Sequence, residues 1–234
     1  MKVFTLGDAH GGHKALLQVL ERSGFDREND KLILLGDLVD GWSESMEVII
    51  ELMGLNTVFV VGNHDSWAID FLNTGYAPPI WTSQGGYATM ESILRYKDDK
   101  DLIASVREWM GKGVYYHVED NRLFVHGGFD WKTPIEEQDG YDLTWDRHMW
   151  VTANMWHNNK NDKDRTMGNY DDVFIGHTTT SRIDPTLNPV HACNVWNLDQ
   201  GAGWEGKLTL MNVETKEYWQ SDIVSTLYPD DKGR

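Results

Sequence analysis

Cys193 is the chain's one cysteine, so no internal disulfide can form and the fold cannot lean on an oxidising compartment. A lone thiol of this kind reads as a small buried hydrophobe. Long apolar runs are missing too. Nothing approaches the roughly 18 apolar residues that span a bilayer, so no membrane segment is expected. A strand pattern begins almost at Met1, which leaves no room for a signal or transit peptide and points to a cytoplasmic protein. Positive charge is scarce: 21 Lys and Arg face 37 Asp and Glu, a formal net charge of −16. That argues against an extended nucleic-acid surface, because such binding rests on basic side chains neutralising phosphates. The surplus acid falls partly in DREND (26–30), DDKD (98–101) and EEQDGYD (136–142). These runs read as solvated loops and helix ends, although a few carboxylates could be offset by bound cations. Internal repeats, low-complexity tracts and Pro/Gly/Ser linkers are also absent. The 234 residues therefore read as a single domain, 1–234, large enough to bury a core.

What is present alternates. A strand at 2–6 precedes a helix near 13–23, with Leu16, Leu17 and Leu20 on one face and Gly24 as its stop. A strand at 32–35 precedes a helix near 44–53, where Met46, Ile49, Ile50 and Met53 keep the i, i+3, i+4, i+7 spacing before Gly54. A third strand follows at 57–61. Such β-α-β-α-β order implies parallel strands with right-handed crossovers, and ligands then gather beyond the strands' carboxyl ends. Residues 65–112 read as helical, with Met90, Ile93 and Leu94, then Leu102, Ile103, Val106 and Met110, as apolar faces. Strands are expected at 114–118, 122–126, 173–175, 190–198, 207–213 and 217–222, with 200–206 as a turn. Residues 130–171 show no element pattern and read as a long loop, a candidate lid.

The apolar runs end in an unusual way. VFTLGDAHGGH (3–13), LILLGDLVD (32–40), VFVVGNHD (58–65), RLFVHGG (122–128) and DVFIGH (172–177) each couple a strand to a glycine and a side chain that can ligate metal. Asp8 and His10 are two apart, so along an extended backbone they point the same way and form a two-point chelate. Glycines around them let the chain turn with nothing blocking the site. Together the five ends offer Asp8, His10, Asp37, Asn63, His126 and His177. That oxygen and nitrogen set suits two borderline-hard cations sharing one carboxylate.

The pieces GDAH (7–10), GDLVD (36–40), GNHD (62–65), VHGG (125–128) and GHT (176–178) together resemble the signature of the calcineurin-like metallophosphoesterases, over about residues 2–213. The resemblance implies an α/β fold, a four-layer α/β/β/α sandwich with two mixed sheets and a two-metal site at their edge. It also implies two divalent ions, Mn first, with Fe, Zn, Ni or Mg as substitutes. Asp8, His10 and Asp37 would hold one ion; Asp37 would bridge to a second, completed by Asn63, His126 and His177. His64 would be the general acid, oriented by Asp40. The chemistry is consistent: two cations clamp phosphoryl oxygens and acidify a bridging water, and a protonated imidazole keeps the leaving alkoxide from departing bare.

Within that family, GHTTTS places Thr179 where nucleases and phosphodiesterases carry a second histidine. WTSQGGYATMES (81–92) and TWDR (144–147) look most like the small bacterial and phage Ser/Thr phosphoprotein phosphatases of the lambda type, which makes Arg147 the candidate for binding substrate phosphate. Gly41 and Val61 stand where those phosphatases carry arginines, which removes two bidentate contacts to phosphate. The leading expectation is a phosphomonoesterase acting on phosphoproteins or small phosphate esters. The alternatives are a hydrolase of dinucleoside polyphosphates, nucleotides or RNA ends, and a non-catalytic scaffold on the same fold. Trp42, directly after GDLVDG, is expected at the mouth of the site; the other tryptophans read as packing mass.

Overall fold

Period-two alternation sorts the apolar runs onto two faces, and the structure buries both. It is a computed structural model and describes residues 1–159, 162 and 164–234, with Arg182 described by its backbone alone. The strands are β1 (Val3–Leu6), β2 (Lys31–Leu34), β3 (Thr57–Phe59), β4 (Tyr116–Glu119), β5 (Arg122–Val125), β6 (Asp172–Ile175), β7 (Val190–Ala192), β8 (Val195–Asn197), β9 (Thr209–Asn212) and β10 (Tyr218–Gln220). The helices are α1 (His13–Ser23), α2 (Ser45–Met53), α3 (Asn63–Thr74), α4 (Pro79–Trp81), α5 (Tyr87–Arg95), α6 (Lys100–Met110), α7 (Gly140–Trp145), α8 (His148–His157) and α9 (Val224–Leu227).

Two mixed five-stranded sheets result, ordered β10-β9-β1-β2-β3 and β4-β5-β6-β8-β7. Three strands of each are parallel, β1-β2-β3 at one side of the first sheet and β5-β6-β8 in the middle of the second. Antiparallel pairings add β9 and β10 to the first sheet, and antiparallel β4 and β7 edge the second. Three apolar clusters follow from the alternation. Leu32 and Leu34 face the helices of the first sheet together with Leu16, Val19 and Met46. Ile33 and Leu35 face inward and meet Phe124 and Phe174 of the second sheet. Leu123, Val125, Val173 and Ile175 point away from that seam toward Met149, Trp150 and Ala153 of α8. Helix, sheet, sheet and helix are thus stacked as four layers, and strands covered on both sides read as unbroken apolar runs. No helix among the described residues is long and apolar enough to cross a membrane.

Several expectations need correction. Residues 130–171 are not one loop: they contain α7 and α8. The sequence of α8, HMWVTANMWH, hides its helix because apolar residues lie all round it; Met149, Trp150 and Ala153 are buried while Val151 and Met155 are exposed, so no single stripe stands out. Residues 160, 161 and 163 of the polar run at 157–172 lie outside the described residues. The strand expected at 190–198 is a hairpin of β7 and β8. Cys193 sits in its turn at φ 56°, half-buried rather than in the core. Leu94 is exposed, so α5 packs through Met90 and Ile93.

Candidate metal centre

Parallel strands of one sheet release their following loops at one edge, and here both sheets do so side by side. Loops after β1 and β2 deliver Asp8, His10 and Asp37, the start of α3 after β3 delivers Asn63, and loops after β5 and β6 deliver His126 and His177. All six are buried. Ligand atoms of Asp8, His10 and Asp37 lie within 4.8 Å of one another, and so do those of Asp37, His126 and His177. Asp37 belongs to both groups. Asn63 Oδ1 lies 3.2 Å from His126 Nε2, which places the sixth donor against the second group.

Each donor is aimed from behind. His10 Nδ1 lies 3.0 Å from the Val39 and Asp40 carbonyls, so it donates there and turns Nε2 inward. His126 Nδ1 donates to the Leu35 carbonyl at 2.6 Å, leaving Nε2 to face Asn63 and, at 3.3 Å, Asp37. One oxygen of Asp8 accepts from the His177 amide at 2.9 Å, and one of Asp37 from the His64 amide at 3.0 Å. Their other oxygens, Asp8 Oδ1 and Asp37 Oδ2, have no hydrogen-bond partner among the described residues, nor do His177 Nε2 and His64 Nε2; Asp37 Oδ2 lies 3.8 Å from His10 Nε2. Four buried polar atoms unsatisfied in one place would cost several kcal/mol if nothing met them.

The backbone is strained at the same place. His10, Asp37, Asp40 and His177 have φ of 47°, 49°, 71° and 64°, left-handed conformations that cost about 1–3 kcal/mol each for a non-glycine residue. Close approach requires glycine beside the carboxylates: a Cβ on Gly62 would lie 2.2 Å from Asp37 Oδ1, and one on Gly176 2.0 Å from Asp8 Oδ1.

Burial sets the electrostatics. It lowers His10 to about 3, reinforced by the charge of Arg234, and lowers His177 as well, reinforced by His126. Neutral imidazole is the ligating form. Burial also raises Asp8, helped by the charge of Asp199. For Asp37 burial is outweighed by the neighbouring histidines, His126 first, which hold it well below the usual carboxylate range. His126 is the reciprocal case: Asp37 overcomes burial and lifts it to about 9.

His64 Nδ1 is 2.7 Å from Asp40 Oδ2, and both residues are fully buried. Burial lowers His64 to about 4 and raises Asp40 to about 8. Asp40 is fixed by Trp81 Nε1 at 2.7 Å and the Thr89 hydroxyl at 2.6 Å. Arg147 stands at the start of α8, exposed, with its charge felt at His64 and His177 and no carboxylate within ion-pair distance among the described residues.

All eight residues read from the motifs therefore meet, and Arg147 borders them. Trp42 lines the larger of two clefts beside the cluster, as expected, but it does so from a buried position, bonded through Nε1 to the Ala202 carbonyl at 2.7 Å and stacked on Tyr228. Trp204 lines the same cleft, 6.2 Å from the His10 ring. Asp65 ties the Leu38 and Gly62 amides at 2.9 Å each, and Asp199 follows β8 into the same acidic cluster. Both were missed, although Asp199 has the strand-end position of the other donors. Arg234 was missed as well, and no local pattern marks it. Its Nη1 lies 3.4 Å from His10 Nε2, in space left by Gly41, where a Cβ would stand 3.4 Å from Arg234 Cβ. Clefts of ≈600 Å³, holding Trp145 and Arg147, and ≈800 Å³, holding Trp204 and Thr179, border the cluster.

A family model for calcineurin-like phosphoesterases matches residues 1–195. Among curated proteins, the symmetrical bis(5'-nucleosyl)-tetraphosphatase of Aromatoleum aromaticum is 28% identical over 130 residues, 55% of this chain and 44% of that protein. The enzyme of the same name from Methylobacillus flagellatus is 32% identical over 55% of this chain and 43% of its own length. The match thus spans less than half the length of these relatives. The Coxiella burnetii enzyme of that name aligns over 94% of this chain and 92% of its own length at 25% identity. A solved structure carrying a provisional assignment as a diadenosine tetraphosphatase superposes with a TM-score of 0.67 at 18% identity, covering 94% of this chain and 92% of the other.

Proposed function

The chain belongs to the calcineurin-like phosphoesterases, and we propose that within this family it is a two-metal hydrolase of dinucleoside polyphosphates or closely related phosphoanhydrides. One observation carries the reading: donors from five strand ends form two groups joined by Asp37, with Asn63 against the second, and buried polar atoms in both groups lack a hydrogen-bond partner among the described residues. In this reading Asp8, His10 and Asp37 would hold one divalent ion, and Asp37, Asn63, His126 and His177 would hold the other. The mixed oxygen and nitrogen set accepts Mn²⁺ and its borderline neighbours. Bound there, such a pair supplies positive charge for phosphoryl oxygens and acidifies water.

The chain's own groups do the rest. His64 presents Nε2 to the leaving oxygen, with Nδ1 held by Asp40, so the imidazole delivers a proton in one orientation. General acids of this kind contribute about 10²–10⁴ in rate. Arg147 offers a planar fork of donors to non-bridging phosphoryl oxygens. Trp145 packs edge-on against His177, 5.8 Å away, and limits water there. The names of the curated relatives, bis(5'-nucleosyl)-tetraphosphatases, and the two clefts lined by Arg147 and by Trp204 favour a long substrate over a phosphoprotein. A scaffold role sits poorly with strained, unsatisfied donors that only a ligand would compensate.

Purified protein with Mn²⁺ is expected to convert diadenosine tetraphosphate to ADP, followed by chromatography. Its kcat/KM should exceed that for a phosphoserine peptide at least tenfold. The reverse preference would restore the phosphomonoesterase reading, and no turnover of either with any divalent metal would refute both.

A further inference from the structure

We infer that Arg234 is a substrate-binding residue that, together with Arg147, grips adjacent phosphoryl groups and so selects substrates carrying more than one. The inference rests on reading the donor cluster as a phosphate-hydrolysing centre.

Arg234 is placed by several independent contacts. Its amide donates to the Gly203 carbonyl at 2.9 Å. Its guanidinium donates to Gln84 Oε1 at 2.9 Å and stacks 4.7 Å from the centre of the Trp204 ring. The chain leading to it is pinned to the loop after β2: Tyr228 stacks on Trp42, and Asp231 accepts from the Ser43 amide at 3.2 Å. Gly41, at φ 122°, has no side chain to obstruct that path.

What the guanidinium lacks is an anion. In a chain with 37 acidic residues, an arginine serving stability alone would normally find one. Arg234 is half-buried, yet among the described residues no carboxylate lies within ion-pair distance of it. Its second polar neighbour is His10 Nε2, at 3.4 Å. Coordination of a cation by His10 would use that lone pair, leaving Gln84 as the guanidinium's hydrogen-bonding partner and several N–H donors open. A guanidinium so placed suits phosphoryl oxygens, which it binds two at a time. Arg147 is within its electrostatic reach. Asp199 acts on both guanidiniums through space, but no carboxylate pairs with either among the described residues, so the forks stay open to a polyanion held between them.

The test uses the Mn²⁺-loaded full chain and inorganic pyrophosphate, titrated calorimetrically, so that it needs no turnover. Arg234→Ala is expected to weaken pyrophosphate binding about tenfold or more, with Arg234→Lys intermediate and Arg234→Gln close to alanine. In turnover, KM for diadenosine tetraphosphate should rise by a similar factor while kcat stays within about threefold. Unchanged pyrophosphate affinity in a variant of native circular dichroism would overturn the inference. So would tighter Mn²⁺ binding with phosphate affinity unaltered, since Arg234 would then be only a counter-charge to the carboxylates. A wild-type protein that binds pyrophosphate through Arg234 but hydrolyses nothing would refute the proposed activity and leave this assignment standing.

Discussion

Single atoms decide how the centre is built. A methyl group on Gly176 would stand 2.0 Å from Asp8 Oδ1, and Asp8 is already held by the His177 amide. Gly176→Ala is therefore expected to fold but to lose at least tenfold in Mn²⁺ affinity, measured by titration; native affinity would mean Asp8 is not a ligand. His64→Gln keeps bulk but offers no acidic proton. Its kcat should fall roughly 10²–10⁴-fold on an alkyl phosphate and far less on p-nitrophenyl phosphate, whose leaving group departs unaided. Equal losses on both would remove His64 from proton transfer. The six donors were legible in sequence because a polar residue beside glycine at the end of an apolar strand has no packing role to explain it. Trp81, Asp199 and Arg234 were not. Their parts come from contacts across the fold, such as 224 positions between Arg234 and His10, and no periodicity records such an approach.

Elements position those atoms by tying loops to rigid ends. In the first turn of α3, Asp65 accepts from Gly62 on its own loop and from Leu38 on the loop after β2, which locks Asn63 and His64 to Asp37. Replacing Asp65 by alanine strands two buried amides, each worth about 1–3 kcal/mol. We expect a loss of roughly 2–4 kcal/mol in urea unfolding, together with weaker metal binding. A change below 0.5 kcal/mol in both would show that the tie is dispensable. The parallel strands and α1–α3 were readable because one periodicity dominated each. The two helices within 130–171 were not, since α7 has six residues and α8 is apolar on several sides. The β7–β8 turn escaped notice because it is carried by Cys193 and Asn194 rather than by glycine or proline.

Across the whole molecule, a chain of net charge −16 gathers Asp8, Asp37, Asp40, Asp65 and Asp199 into its interior. Burial, helped by the charge of Asp37, raises Asp65 to about 7 and Asp199 to about 6. Cations bound to the folded state alone should stabilise it. At a hundredfold excess over Kd, one ion contributes about 2.7 kcal/mol, which for a chain of this size is roughly 5–10 °C in Tm. Differential scanning fluorimetry should therefore show a drop of that order on chelation and recovery with Mn²⁺; an unmoved Tm would mean that ions do not bind this fold preferentially. The strand grammar made the parallel strands and their shared edge legible and the family resemblance implied the four layers, whereas the pairing of sheet edges and the path of 228–234 over the loop after β2 depend on tertiary packing. The most direct test of the account is metal stoichiometry, by elemental analysis with calorimetric titration. We predict two Mn²⁺ per chain, falling to one or none in Asp37→Asn because that carboxylate serves both groups. A wild-type protein that takes up no ion, or an Asp37→Asn variant that still binds two at native affinity, would contradict it.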